Sequence, residues 1–209
     1  MEEKKITEQE SLEIISQMIQ QTKKDSAIGS GDSFLIWGYL CVICSLSVVA
    51  MVYFAGGGKW GWLYFSIPLL GFIIAGLNAN RLKKKYNGPS TYSASSTNSI
   101  WACLSGVFAA YAVWCLMDWN KAEGWSGMFL LGLLLPGIGT YSTGVILKEK
   151  VLQTCGMFGI CIGLRFLHDL CCEGPIVTIE WPIVMAISLF ITLVIPGHYL
   201  NHKSKKQNA

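Results

Sequence analysis

The chain has 209 residues, 52% of them hydrophobic and only 14% charged, with sixteen Lys/Arg against thirteen Asp/Glu and a formal net charge of +3. A water-soluble domain carries about 25% charged residues, so this composition excludes an ordinary soluble globule and points to a chain embedded in lipid. The small positive excess argues against a nucleic-acid partner; where the charges lie matters more than their sum.

Residues 1–31 are polar and open with acids, lacking the basic start and short apolar core of a cleavable signal peptide. The first apolar segment is therefore expected to act as its own insertion signal. Before it, the pattern predicts an amphipathic helix outside the bilayer. Thr7 with Glu10 fits a capping box, acids fill the first turn, and Lys23 and Lys24 close the last one, as the helix dipole favours. Leu12, Ile14, Ile15, Met18 and Ile19 fall on one side, with Gln9, Glu13, Gln17, Gln20 and Lys24 on the other. Such a helix docks on its own bundle, self-associates with a second copy, or binds a cytoplasmic protein partner through residues 8–24. Its Glu and Gln argue against anchoring to a membrane surface, where Lys and Arg prevail. Ile28 to Asp32, IGSGD, reads as a flexible linker.

Six apolar segments follow, at 33–56, 60–80, 98–118, 124–147, 151–172 and 179–201. Each is near or above the roughly 20 residues that cross a hydrocarbon core. The expected fold is all-α: a six-transmembrane-helix bundle of three helical hairpins, with an N-terminal cytoplasmic amphipathic helix and a basic tail over 202–209. Charge bias sets the orientation. With both termini cytoplasmic, the inner side collects Lys4, Lys5, Lys23 and Lys24; Arg81, Lys83, Lys84 and Lys85; Lys148 and Lys150; and Lys203, Lys205 and Lys206. The outer loops keep only Lys59 and Lys121. Trp60, Trp62, Trp119, Trp125 and Trp181 cluster at the outer boundary, and Trp37, Trp101 and Tyr199 at the inner one, as interfacial belts require. The second helix of each hairpin carries Pro and Gly (Pro68 and Gly71, Pro136-Gly137, Pro196-Gly197) and ends in a basic cluster. A hairpin triplication and the charge rule alone both produce that pattern.

The fifth segment, VLQTCGMFGICIGLRFLHDLCC, differs from the others by holding charge: Arg165, with His168 and Asp169 one turn on. At 1.5 Å per residue Arg165 lies about 22 Å from Lys150, past the midplane of a ~30 Å core. Asp169, four residues on, shares its face, and Cys161, Arg165, His168 and Cys172 line one stripe. Two readings stand. The three residues form an outward-side polar pocket for a proton, ion or small solute, or an ion pair fixes helix packing near the interface. Asp118, Glu123, Glu173 and Glu180 on the same side complete an acidic vestibule or simply solubilise loops.

Cys41-Val-Ile-Cys44 has the form of a redox or metal motif, but it lies inside a span with no polar neighbours and reads as helix packing. The remaining cysteines are not spaced as a disulfide framework; the adjacent Cys171 and Cys172 lie where oxidation is possible. His168 is distant from His198 and His202, so no haem or metal site is expected. No phosphate loop, nucleophile elbow or zinc-protease helix occurs. No catalytic residue, cofactor or metal is expected, and the chain is not expected to be an enzyme.

The stretch ESLEIISQMIQQTK, followed after the linker by FLIWGYL, and the closing IPGHYLNHKSKK resemble an uncharacterised family of small polytopic bacterial inner-membrane proteins with an N-terminal amphipathic helix. That resemblance implies a bacterial inner (plasma) membrane location and no assigned activity; such proteins accompany small DNA-binding regulators, which implies a membrane-side signalling or stress role. The expected function is a non-enzymatic integral membrane protein of signalling, regulation or envelope maintenance working through its cytoplasmic helix. The alternative is a small transporter or permease with its pocket around Arg165, His168 and Asp169.

Overall fold

In lipid every backbone N–H and C=O must bond within the protein, which leaves long apolar segments the helix as their one economical form. The computed structural model describes residues 9, 12–13, 16, 30–55, 63–64, 66–68, 70–71, 73–74, 92–117, 122–173 and 180–208. Among these the regular structure is all helical, with no strand. In chain order come α1 (Ser30–Ala55), α2 (Tyr92–Met117), α3 (Ala122–Leu147), α4 (Lys150–Glu173) and α5 (Glu180–Leu189). A π-helical turn, Phe190–Val194, then leads directly into α6 (Ile195–Asn208). Among the described residues, five stretches are long and apolar enough to cross a membrane: Gly31–Phe54, Tyr92–Met117, Ser126–Leu147, Lys150–Cys172 and Glu180–Lys206. That is the architecture of a multi-pass membrane protein.

Two expected elements lie largely outside the described residues. The amphipathic helix of 1–31 is described before Ser30 only at Gln9, Leu12, Glu13 and Ser16, and the span at 60–80 only at scattered positions between Leu63 and Ile74. Elsewhere the helices overrun their apolar cores. α2 starts at Tyr92, ahead of the expected 98, and α6 continues to Asn208, beyond the expected 201. Hydropathy marks where an apolar run begins; a helix continues for as long as polar residues tolerate its dihedrals.

Among the described helices the last span is the most buried. Of its apolar window 56% is buried, against 28% for α4 and 6% for α2. α1 runs antiparallel along it: Gly31 meets Gly197 and Asn201, and a Cβ on Gly38 would sit 2.9 Å from Val194 Cγ2. Phe34 of α1, Leu133 of α3, Leu152 and Phe166 of α4, and Met185, Leu189, Leu193 and Leu200 of the last span form the core.

Pro196 explains the π turn. Without an N–H it cannot donate to the Thr192 carbonyl, and its ring would crowd that oxygen. The helix widens there, with the Ile195 N–H donating to the Phe190 carbonyl five residues back. The freed Thr192 oxygen is then taken by the buried Thr140 hydroxyl of α3 at 3.0 Å. A proline-made vacancy on one helix is thus filled from its neighbour. Thr140→Val, nearly isosteric, should cost about 1–2 kcal/mol by leaving that carbonyl unbonded, whereas Thr140→Ser should stay near wild type. Thermal stability of the purified protein in detergent checks the pair.

α3 and α4 form the closest helix pair. A Cβ on Gly137 would lie 2.8 Å from Ile160 N and 3.0 Å from Gly156 O, and one on Gly156 would lie 2.7 Å from Tyr141 Cα. Here backbone rests on backbone, which only glycine allows. The connecting turn is a Schellman motif. Lys148 N–H donates to Val145 O at 3.2 Å and Glu149 N–H to Gly144 O at 2.8 Å, with Lys148 at φ 57°. Glycine is the ordinary occupant of that left-handed position, so Lys148→Gly should stabilise the protein by about 1 kcal/mol, read as a raised thermal midpoint.

Candidate functional site

The three polar residues singled out in the fifth apolar segment, Arg165, His168 and Asp169, are brought together by one turn of α4. Arg165 Nη1 lies 3.0 Å from Asp169 Oδ1, and His168 Nδ1 lies 3.4 Å from the same oxygen. The two basic groups therefore converge on one carboxylate oxygen. Their settings differ sharply: the Asp169 side chain is 10% exposed, those of Arg165 and His168 64% and 66%. Asp169 turns inward; on the same helix the buried Phe166 meets Trp181 edge-on at 4.4 Å and Phe129 in a tilted contact at 6.2 Å. Arg165 and His168 turn outward. Cys161 and Cys172 are exposed on the same helix, as the expected stripe requires, and Cys172 Sγ lies 3.8 Å from His168 Nε2. Of the vestibule acids, Glu180 is exposed at the start of α5, while the side chains of Asp118, Glu123 and Glu173 lie outside the described residues.

A second polar cluster, not anticipated from the sequence, gathers at the opposite, lysine-rich end. Glu149, in the α3–α4 turn, accepts a hydrogen bond from Tyr199 Oη at 2.9 Å and an ion pair from Lys203. Asn201 Nδ2 donates to Asp32 Oδ1 at 2.8 Å, and Tyr39 Oη lies 2.8 Å from His198 Nε2. Gln153 Nε2 adds a bond to Gly144 O at 3.1 Å. The start of α1, the α3–α4 turn and α6 are thereby locked into one end plate. Its members lie up to 169 residues apart in sequence, so no local motif signals it. The one legible trace was the polar run at the close of the last span.

Other candidates have structural roles. Cys44 is buried and its thiol donates to Leu63 O at 2.9 Å, stitching α1 to the segment after it. None of the eight cysteines is in a disulfide. Trp101, expected at the inner boundary, gives its Nε1–H to Thr143 Oγ1 at 3.1 Å and meets Phe34 edge-on at 5.5 Å, so it ties α2 to α3 and to the core. Among the described residues no group of three His, Cys, Asp or Glu is placed to hold a metal ion. Compared with known proteins, the chain matches no family model, no curated protein and no solved structure.

Proposed function

We propose that this chain is a non-enzymatic membrane protein of a bacterial inner membrane that works by contact. In this reading both termini are cytoplasmic, and residues 8–24 are offered to a second copy or to a cytoplasmic protein in a regulatory or envelope-maintaining role. The observation that carries it is the bond from Asn201 Nδ2 to Asp32 Oδ1 at 2.8 Å. It braces the first turn of α1 against the central helix, so the segment before Ser30 is attached to a fixed base. α6 continues past Leu200, the last apolar residue of the span, and leaves Lys205 and Lys206 exposed. The uneven placement of Lys and Arg supports a cytoplasmic setting for this end.

Removing residues 1–29 tests the reading. In native membranes treated with a lysine-reactive cross-linker, the full chain should give a discrete adduct. The truncated chain should lose it while keeping the thermal midpoint of the bundle. An unchanged adduct in the truncated chain contradicts the proposal.

The permease alternative draws on the Arg165–Asp169 pair inside a membrane-length helix. A solute pathway needs such groups to face an interior cavity. The guanidinium and imidazole here are about two-thirds exposed on the outside of α4, so this observation favours the first reading.

A further inference from the structure

Cys172 closes a relay of side chains on the last turns of α4. Its Sγ is 3.8 Å from His168 Nε2, His168 Nδ1 is 3.4 Å from Asp169 Oδ1, and Arg165 Nη1 is 3.0 Å from that same oxygen. Thiol, imidazole, carboxylate and guanidinium are thus joined in series, the carboxylate buried and the thiol and imidazole exposed. A nucleophile in reach of a base, with the base oriented by a third group, is the arrangement that activates cysteine. The helix dipole does not assist, because the negative end of α4 opposes a thiolate at its last turn. Any gain in reactivity must come from the imidazole. Cys171, its exposed neighbour, experiences the same helix end and supplies an internal reference.

We propose that Cys172 is a reactive thiol that exchanges with low-molecular-weight disulfides, with His168 as its base and Asp169 as the positioning residue that holds the ring. His168 Nε2 takes the proton from Cys172 Sγ, and the thiolate attacks one sulfur of R–S–S–R. The new Sγ–S bond forms as the S–S bond breaks. The departing thiolate carries off the electron pair of the broken bond and recovers the proton from the imidazolium, leaving as RSH. Cys172 ends as a mixed disulfide, and the external disulfide is the oxidant. The site is separate from the lysine-rich end plate, so it stands or falls independently of the proposed contact function.

The test uses full-length protein in lipid nanodiscs with oxidised glutathione as the probe, following glutathione addition to the α4 peptide by mass spectrometry. Cys171→Ser, which leaves Cys172, should react at the wild-type rate. Cys172→Ser, which leaves Cys171, should react about tenfold more slowly. Adding His168→Gln to Cys171→Ser should bring the rate down to that of Cys172→Ser, and free imidazole should restore part of it, a rescue that a merely structural histidine would not show. Asp169→Asn should slow Cys172 and leave Cys171 unaffected. Equal rates for Cys171→Ser and Cys172→Ser, or no effect of His168→Gln, would overturn the proposal. So would a disulfide-linked dimer of two chains as the main product, since the partner would then be a second copy.

Discussion

Gly156→Leu is expected to prevent α3 and α4 from closing and to leave little folded protein. The position has no room for a side chain: a Cβ there would meet Tyr141 Cα at 2.7 Å and Gly137 O at 2.8 Å, both backbone atoms that cannot turn aside. Ordinary overpacking costs about 1–3 kcal/mol because neighbouring side chains give way. Here the helices themselves must separate, and with them the hydrogen bond from Thr140 to the π turn. The loss should exceed about 3 kcal/mol, which is a large share of the stability of any domain this size. Gly106→Leu is the control, because a Cβ on Gly106 meets nothing within 4 Å. Size-exclusion profiles after heating should show Gly106→Leu unchanged and Gly156→Leu aggregated or absent.

Asp169→Ala is expected to do more damage than removing both charges together. The substitution strands the Arg165 guanidinium on a membrane-length helix without the carboxylate 3.0 Å away. An uncompensated arginine deep in a span costs about 2.5–3.5 kcal/mol, less toward the interface. A loss of about 2 kcal/mol follows for a position past the midplane. Arg165→Ala with Asp169→Ala takes away the cation along with its partner and should lie within about 1 kcal/mol of wild type. The ordering of thermal midpoints, double variant above Asp169→Ala, is the readout. The reverse order would mean that the two charges contribute independently.

Much of the architecture was legible in the sequence because lipid imposes a simple rule: a run of about 20 apolar residues becomes a helix. The positions of α1, α3 and α4 follow from that rule. The pairing of Arg165 with Asp169 follows equally from four-residue spacing on one helix. What could not be read was which helix the others surround. The fifth segment carries the charges, yet among the described residues the last span is the most buried: Thr192, Val194 and Pro196 are fully covered, Thr192 against Thr140 of α3 and Gly159 of α4, Val194 against Gly38 of α1. Composition alone does not distinguish an apolar residue facing lipid from one facing protein, since both environments favour it. Pro136 lies within the continuous α3, and the vacancy made by Pro196 is filled by Thr140. The end plate of Glu149, Tyr199 and Lys203 is not legible in the sequence because its members meet only through tertiary packing, each an ordinary polar residue near a helix end.

In the proposed orientation these helices cross a membrane with the lysine-rich end plate on its cytoplasmic face. Single cysteines introduced as Gln207→Cys and Lys121→Cys in a cysteine-free chain, treated in intact cells with a membrane-impermeant maleimide, test it directly. Lys121→Cys should label at once, and Gln207→Cys only after the cells are permeabilised. Labelling of Gln207→Cys in intact cells would contradict the account.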